Sequence, residues 1–340
     1  GSKSPDEKSV AKASSRAFKA RILRQSLKRF IKNKYGITPL GGLILAACGS
    51  DTSDGDDNSI PSSVVSPVII PVFGNAIKGP LENAVAFADE DGDGIQGPGE
   101  FSATTNADGY FSLNTSSAQT KVVVKTGPNT IDTSSGKVLS GVTLSAPAGS
   151  SVISPASTIL EAQPDIKPEQ LAIALGVPTK AADGSPIDLL NFNPFGADAD
   201  PEAALAVEKA GQQVMVTIQA VSAAAEGAGM SVEKAFQQAM ESVSEVVSAT
   251  AATIDVSSPE AVLAAETAIA SGEGSKIDLS DDSFLGAVSE GVKTKVAEAA
   301  SSDTSITIDE TAFASVLDTA MTAVKNVVTA IEAITDTDLN

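Results

Sequence analysis

Residues 84–113 read AVAFADEDGDGIQGPGEFSATTNADGYFSL and contain the pattern that decides the fold of the first half of the chain. The runs at both ends are rich in Val, Phe and small residues, which favours strands. Between them, Asp89, Asp91 and Asp93 stand two residues apart, a glycine follows, and Glu100 closes a twelve-residue segment. This is the ligand spacing of a calcium-binding EF-hand loop. The sequence therefore predicts a calcium loop that lies between strands instead of helices.

The predicted ligands are all hard oxygen donors, the kind that Ca²⁺ prefers. A tight turn at Gly94 lets the carboxylates converge, and without an ion their like charges would crowd into one turn. Gly97-Pro98-Gly99 precludes a helix at the position where an EF-hand has its exiting helix. A solvated acidic turn without a metal is the alternative interpretation. The predicted metal ligands are the side chains of Asp89, Asp91, Asp93 and Glu100 and the carbonyl oxygen of Ile95.

Short apolar runs predict a β-sandwich over residues 63–150. These runs are AVAFA (84–88), GYFSL (109–113), KVVVK (121–125) and VTLSA (142–146), and turn residues separate them. In the turn before Tyr110, Gly109 supplies a residue that can take positive φ. The spacing predicts one compact domain with a modest core.

The succession quoted above resembles the B-type repeats of bacterial surface adhesins and the related prealbumin-like carboxypeptidase-regulatory modules. Those modules share a strand, an acidic loop closing on Gly-Glu, a Thr-rich strand and an Asp/Asn-Gly-aromatic hairpin. The resemblance covers about residues 73–146 and is weaker from Lys121 onward. It implies an Ig-like or prealbumin-like sandwich in an extracellular protein, with calcium bound by the same four carboxylates.

From residue 151 to residue 340 the chain is Ala-rich and predicts an all-α domain. Pro recurs at plausible first helical positions, mostly after a residue able to cap a helix. These starts are at Pro155, Pro168, Pro201 and Pro259. Apolar residues at three- and four-residue spacing predict one helix along residues 207–221 and another along 313–334. The predicted fold class is therefore α+β multidomain, with a calcium-binding β-sandwich followed by a helical domain.

The first 48 residues form a separate basic segment with eleven Lys/Arg, two acidic residues and a net charge of +9. The segment ends in Leu45-Ala46-Ala47-Cys48, which resembles a bacterial lipobox, in which the Cys is acylated. Cys48 is therefore a candidate lipidation site, and the Ser/Asp/Gly-rich residues 49–62 are a predicted flexible linker. The alternative is a retained amphipathic arm that contacts a membrane surface or an acidic partner.

Composition excludes several classes of function. The 340 residues contain no His and one Cys, so a His-ligated zinc site and a Cys/His nucleophile cannot be built. Residues 49–340 carry a net charge of −29, which opposes binding to nucleic acid. Ser231-x-x-Lys234 and Lys125-Thr126-Gly127 match two motifs of penicillin-binding serine enzymes, but in reversed order and without the third motif. We therefore expect a non-enzymatic protein.

These features together predict a secreted or surface-displayed bacterial protein with a structural or adhesive role, a subunit of a filament or matrix built from copies of itself. SSVVSPVIIPVF (62–73) is β-prone, so it could complete its own sandwich or that of a neighbouring copy. Opposite charges on the two parts of the chain favour head-to-tail contact. The alternative function is that of a monomeric, lipid-anchored module that binds a soluble ligand.

Overall fold

The computed structural model describes residues 69–302 and 309–334, and the structural statements below concern these residues. The predictions for the basic segment, for Cys48 and for the linker at 49–62 fall outside them. Within the described residues, ten strands come first and seven helices follow. The architecture is therefore mixed, with strands in the first part and helices in the C-terminal part.

The strands are short, because turn residues interrupt the Val, Ile and Phe runs at close intervals. They are β1 (Ile70–Ala76), β2 (Leu81–Glu82), β3 (Val85–Asp89), β4 (Ser102–Thr104), β5 (Tyr110–Thr115), β6 (Lys121–Lys125), β7 (Ile131–Asp132), β8 (Lys137–Val138), β9 (Thr143–Ala146) and β10 (Val152–Ile153). The four strands predicted from the quoted runs are confirmed as β3, β5, β6 and β9.

In the described part of the chain the strands form three small sheets. The largest has the order β4-β3-β6-β9, and the other two have the orders β10-β1-β5 and β2-β7-β8. Side chains alternate along β5, where Phe111 and Leu113 are buried and Tyr110 and Ser112 are exposed. One face of this strand therefore packs on the core while the other faces solvent.

Of the β-prone segment at 62–73, residues 62–68 lie outside the described residues; the rest leads into β1, which pairs with strands of its own chain. β5 pairs with β1 from Ile70 to Asn75, whereas β10 pairs only with Asn75 and Ala76. On the β10 side, the N–H of Asn75 donates to the carbonyl of Ser151 at 2.9 Å. Amide directions alternate along a strand, so Pro71 faces the same side. Pro71 has no N–H to leave unpaired there, which suits the part of β1 that lies beyond its pairing with β10.

The helices begin where the sequence places caps and prolines. They are α1 (Pro155–Ala162), α2 (Pro168–Ala174), α3 (Pro201–Gly227), α4 (Val232–Ala251), α5 (Pro259–Ser271), α6 (Asp282–Ser302) and α7 (Glu310–Glu332). All four predicted proline starts are confirmed. Asp200 Oδ1 accepts the N–H of Ala203 at 2.9 Å, and Ser258 Oγ accepts the N–H of Ala261 at 3.1 Å. Ser231, from the serine-enzyme motif, caps α4.

One continuous hydrophobic core connects the strands with the helices. Phe111 and Leu144 from the strands belong to the same cluster as Ile159 from α1, Met215 from α3 and Leu317 from α7. Each of these side chains is at most 1% exposed. The predicted boundary at residue 150 lies just before the change from strands to helices, since β10 ends at Ile153 and α1 begins at Pro155, and the core continues across it.

The helices predicted from apolar spacing are α3 and α7, which pack against each other. The buried members of the predicted arc on α7 are Phe313, Leu317, Val324 and Val328. Val316 and Val327 belong to the same arc but are 48% and 43% exposed. The packed side of α7 is therefore narrower than its apolar side, because α3 covers only part of it.

A buried ion pair in the strand region acts electrostatically on a glutamate of α3. Lys78 Nζ lies 3.1 Å from Asp132 Oδ2, and the Asp132 side chain is 2% exposed. Burial raises the pKa of Asp132, but hydrogen bonds from Ser134 and the ion pair with Lys78 outweigh burial, and the pKa lies below its usual value. On α3, burial raises the pKa of Glu208, a hydrogen bond from Gln212 opposes the rise, and the carboxylate of Asp132 adds to it.

Candidate metal centre in the loop at residues 89–100

The loop at residues 89–100 joins two neighbouring antiparallel strands. β3 ends at Asp89 and β4 begins at Ser102. Val85 pairs with Thr104, so the loop is the connection of a β-hairpin. Both flanks of the acidic segment are strands, which confirms the prediction that no EF-hand helix pair is present at this position.

Three of the predicted ligands bring their carboxylates together at the end of this hairpin. One oxygen each from Asp89, Asp91 and Asp93 lies within 4.8 Å of the other two. Asp89 is 3% exposed, whereas Asp91 and Asp93 lie at the surface. Carboxylate oxygens at these separations can hold a hard divalent cation. The geometry permits such an ion and does not by itself specify calcium.

Backbone amides hold the turn around Asp89. Its Oδ1 accepts the N–H of Gly92 at 2.9 Å, and its Oδ2 accepts the N–H of Gly94 at 3.0 Å. Gly92 and Gly94 have φ values of 82° and 72°, which side-chain-bearing residues rarely adopt. Asp91 Oδ1 accepts the N–H of Asp93 at 3.1 Å. Each carboxylate oxygen has a second lone pair, so these bonds leave acceptor capacity for a cation.

Of the other two predicted ligands, Glu100 bonds to backbone amides of the loop, and the carbonyl oxygen of Ile95 stays a predicted ligand. Glu100 Oε1 accepts the N–H of Glu90 at 2.7 Å, and its Oε2 accepts the N–H of Gly97 at 2.8 Å. In the described chain Glu100 lies outside the three-carboxylate group, and it closes the loop through backbone amides. Ile95 donates its N–H to Asp93 Oδ1 at 2.6 Å, and its side chain is 61% exposed.

Lys121 is a residue of the site that sequence reasoning missed. It lies opposite Asp89 in the pairing of β6 with β3. Its Nζ is 3.2 Å from Asp89 Oδ2 and donates to the carbonyl of Gly92 at 3.5 Å. On α1, Glu161 Oε1 lies 3.7 Å from the same Nζ. The ammonium therefore offsets part of the negative charge of the cluster and connects the loop to α1.

Glu161 was missed for a related reason, since a helix brings it to the loop. Burial raises the pKa of Glu161, the ammonium of Lys121 opposes the rise, and the carboxylate of Asp89 adds to it. For Lys121, the one signal in the sequence was that a Lys is the first residue of the strand run KVVVK. Only the register of β6 on β3 places that Lys beside Asp89.

Glu90, the remaining acid of the loop, is directed towards β5. Its Oε1 accepts the N–H of Ser116 at 2.8 Å and lies 3.4 Å from the hydroxyl of Thr115. The backbone hydrogen bond from Ser116 is the main reason why the pKa of Glu90 is lowered. Glu90 thus holds the loop to the neighbouring sheet.

No protein-family model, curated protein or solved structure matches the chain. The resemblance to adhesin repeats therefore stays a prediction from the quoted residues, and the interpretation of the loop rests on its geometry. Among the helices of the described residues, none is both long and apolar enough to cross a lipid bilayer.

Proposed function

We propose that the chain is a non-enzymatic structural protein of the extracellular space or of a bacterial cell surface, in which calcium stabilises a β-sandwich built from the strands. The observation that carries the proposal is the group of Asp89, Asp91 and Asp93, whose oxygens lie within 4.8 Å of one another. Bringing three carboxylates so close costs free energy in the absence of a cation. The ammonium of Lys121 offsets part of this cost, and a bound divalent ion would offset more of it.

The position of the loop supports a stabilising role over a sensing role. Sensor EF-hands act by changing the angle between two helices. Here the loop connects paired strands. The carboxylate of its last residue, Glu100, accepts the N–H of its second residue, Glu90. An ion at this place would fix the β3–β4 hairpin and the amides that Asp89 already holds.

Calcium is the proposed ion because of the chemistry of the donors and the form of the loop. Magnesium demands near-ideal octahedral geometry and keeps several of its waters, whereas calcium accepts six to eight oxygens in flexible arrangements. Two of the three carboxylates, those of Asp91 and Asp93, are exposed, and each holds a loop amide through one oxygen only, which leaves the other oxygen for a flexible coordination shell. A weakly selective site of this kind suits the extracellular space, where calcium is abundant.

The proposed partners are other copies of the chain, in a filament, matrix or adhesin-like assembly. The charge of −29 on residues 49–340 and of +9 on residues 1–48 supports contact between unlike parts of two copies. Through residues 1–48 the protein also contacts a membrane surface, by lipid on Cys48 or by basic side chains. Mass spectrometry of the natural N-terminus distinguishes these forms, since diacylglycerol on Cys48 defines the lipid-anchored one.

Calcium titration of the full chain tests the site. Isothermal titration should show binding, and calcium at about 100 times the dissociation constant should stabilise the protein by about 2.7 kcal/mol. Asp91→Ala should abolish the calcium-dependent rise in melting temperature. The matched control is Asp108→Ala, which removes an exposed acid from the next turn and should preserve the rise. If calcium does not change the melting temperature of the unmutated protein, the proposed site is wrong.

A further inference from the structure

A cleft of about 460 Å³ lies between α6 and α7. Gly286 and Ser289 line it from α6, and Asp318 and Met321 line it from α7. In each pair the two residues are three apart, so they lie on the same face of their helix. The volume is within the range of small-molecule binding sites.

The two helices run antiparallel, because Asp282 at the start of α6 forms an ion pair with Lys325, late in α7, at 2.7 Å. Ser289 follows Asp282 by seven residues, and Asp318 precedes Lys325 by seven. Seven residues make two turns, which is about 10 Å along a helix axis. Ser289 and Asp318 therefore lie at the same level of the cleft, on opposite sides of it.

The hydroxyl of Ser289 is buried without a hydrogen-bond partner. The residue is 7% exposed, and its Oγ has no donor or acceptor within hydrogen-bond distance among the described residues. Thr294 and Thr322, on the same two helices, each donate to a backbone carbonyl four residues earlier at 3.0 Å. A buried hydroxyl without such a bond costs free energy. Since Ser289 lines the cleft, a ligand bound there can supply the missing bond.

At the level of Ser289 the cleft has an unpaired negative charge. Asp318 takes part in none of the ion pairs between the described residues. The nearest turn of α6 supplies one cation, Lys293, but its Nζ lies 2.8 Å from Glu290 Oε1 and is already neutralised. An incoming cation would therefore meet a carboxylate without a counter-ion.

The other end of the cleft is negative as well. There the hydrogen bond to Asp282 and the negative charges of Asp282, Asp281 and Asp278 raise the pKa of Lys325. One ammonium thus faces three carboxylates. Both ends of the cleft oppose an anionic ligand and favour a cationic one.

We propose that the cleft between α6 and α7 binds a primary alkylammonium group, with its charged end between Asp318 and Ser289 and its alkyl part over Gly286. An ammonium has three N–H donors, so it can donate to the Asp318 carboxylate and to the Ser289 Oγ at the same time. A Cβ added to Gly286 would meet no neighbouring element of the described chain within 4 Å, which leaves space for the alkyl part. Leu285 and Met321, 5% and 6% exposed, supply apolar contacts beside it.

This binding activity is separate from the proposed calcium site and does not depend on assembly from copies. A free amine and a lysine side chain both carry the alkylammonium group. The experiment therefore compares a small amine with a blocked lysine.

Ligand-observed NMR titration of the full chain with pentylammonium tests the inference. We expect a dissociation constant of about 1 mM or tighter. Pentan-1-ol and pentanoate have the same chain length without the positive charge, and they should bind at least about tenfold more weakly. Nα-acetyl-lysine methylamide is titrated in parallel. Tighter binding of this compound assigns the site to lysine side chains, and tighter binding of pentylammonium assigns it to free amines.

Four variants locate the site. Asp318→Asn should weaken pentylammonium binding about tenfold, because it removes the unpaired charge. Glu298→Gln is the matched control, since it removes an exposed acid of α6 outside the cleft and should leave binding unchanged. Gly286→Leu should abolish binding by filling the space for the alkyl part. Ser289→Ala should weaken binding about fivefold and yet raise the melting temperature of the ligand-free protein, because it removes a buried unpaired hydroxyl.

Four results would overturn the inference. The first is the absence of pentylammonium binding to the unmutated protein. The second is equal binding of pentan-1-ol, which would mean that apolar contact alone retains the ligand. The third is an equal loss in Glu298→Gln and Asp318→Asn, which would mean general attraction to an acidic surface. The fourth is full binding by Gly286→Leu, with circular dichroism establishing that this variant is folded. None of these results bears on calcium binding by the loop at residues 89–100.

Discussion

Replacing Lys121 by Met should strengthen calcium binding to the loop at residues 89–100. Within residues 69–302 and 309–334, Lys121 is the cation paired with the carboxylate cluster, with its Nζ 3.2 Å from Asp89 Oδ2. It supplies the positive charge that a calcium ion would supply. Methionine keeps most of the length and the apolar stem of lysine but carries no charge, so the substitution removes the repulsion between ammonium and ion.

The size of the effect follows from distances. A calcium ion about 2.4 Å from an Asp89 oxygen would lie roughly 4 to 5 Å from the ammonium of Lys121. Two unit charges at that distance in water interact with about 1 kcal/mol, and a divalent ion doubles the value to about 2 kcal/mol. Since about 1.4 kcal/mol corresponds to a factor of ten, affinity should rise roughly 20- to 30-fold at low ionic strength. The ion-free variant should be less stable, because buried Asp89 loses its counter-ion.

The assay is calcium titration calorimetry at low salt, combined with thermal melts with and without calcium. Lys125→Met is the matched control, because Lys125 lies at the opposite end of β6, paired with Val85. It should change affinity by much less than Lys121→Met. Equal or weaker calcium binding by Lys121→Met would refute the reasoning, since it would mean that the ammonium and the ion do not share the cluster.

Three further predictions concern the strands. Lys78→Met should destabilise the protein by about 3–5 kcal/mol at neutral pH in urea unfolding, because it leaves the buried carboxylate of Asp132 unpaired. In the unmutated protein the lowered pKa of Asp132 stabilises the fold above its unfolded pKa, and this stability is lost as pH falls through the folded value. Lys78→Met should therefore move acid unfolding to higher pH; an unchanged midpoint contradicts the assignment. Gly109→Ala should cost more stability than Gly136→Ala, although both have positive φ, because its Cβ would lie 2.4 Å from the carbonyl oxygen of Ala76.

Much of the secondary structure could be predicted, because it depends on short-range chemistry. Prolines at 155, 168, 201 and 259 begin helices since the first helical amides need no partner. The runs around Phe87 and Val123 form strands through side-chain preferences that act locally. The packed side of α7 was predicted less well. Spacing identifies an apolar arc, but only the position of α3 decides that Leu317 is buried and Val316 is exposed.

The candidate site was predictable to the extent that it lies within one segment. Asp89, Asp91 and Asp93 converge because they share one turn. Lys121 and Glu161 come from β6 and α1, so their approach depends on strand register and on helix packing. Register and packing are set by the whole core and leave no local pattern in the sequence.

The placement of β1 also determines how the molecule responds to a stretching force. β1 runs antiparallel to β5 and parallel to β10, and its hydrogen bonds to both lie across the strand direction. Tension that acts along β1 from the chain ahead of Ile70 would load these bonds in shear, so that they would break together instead of one after another. Stretching single molecules by their two ends should show a distinct force peak as β1 leaves the sheet. A copy attached through its N-terminal side would thus carry a tensile force through β1. This strand is hydrogen-bonded to both of its neighbours at Asn75 and Ala76.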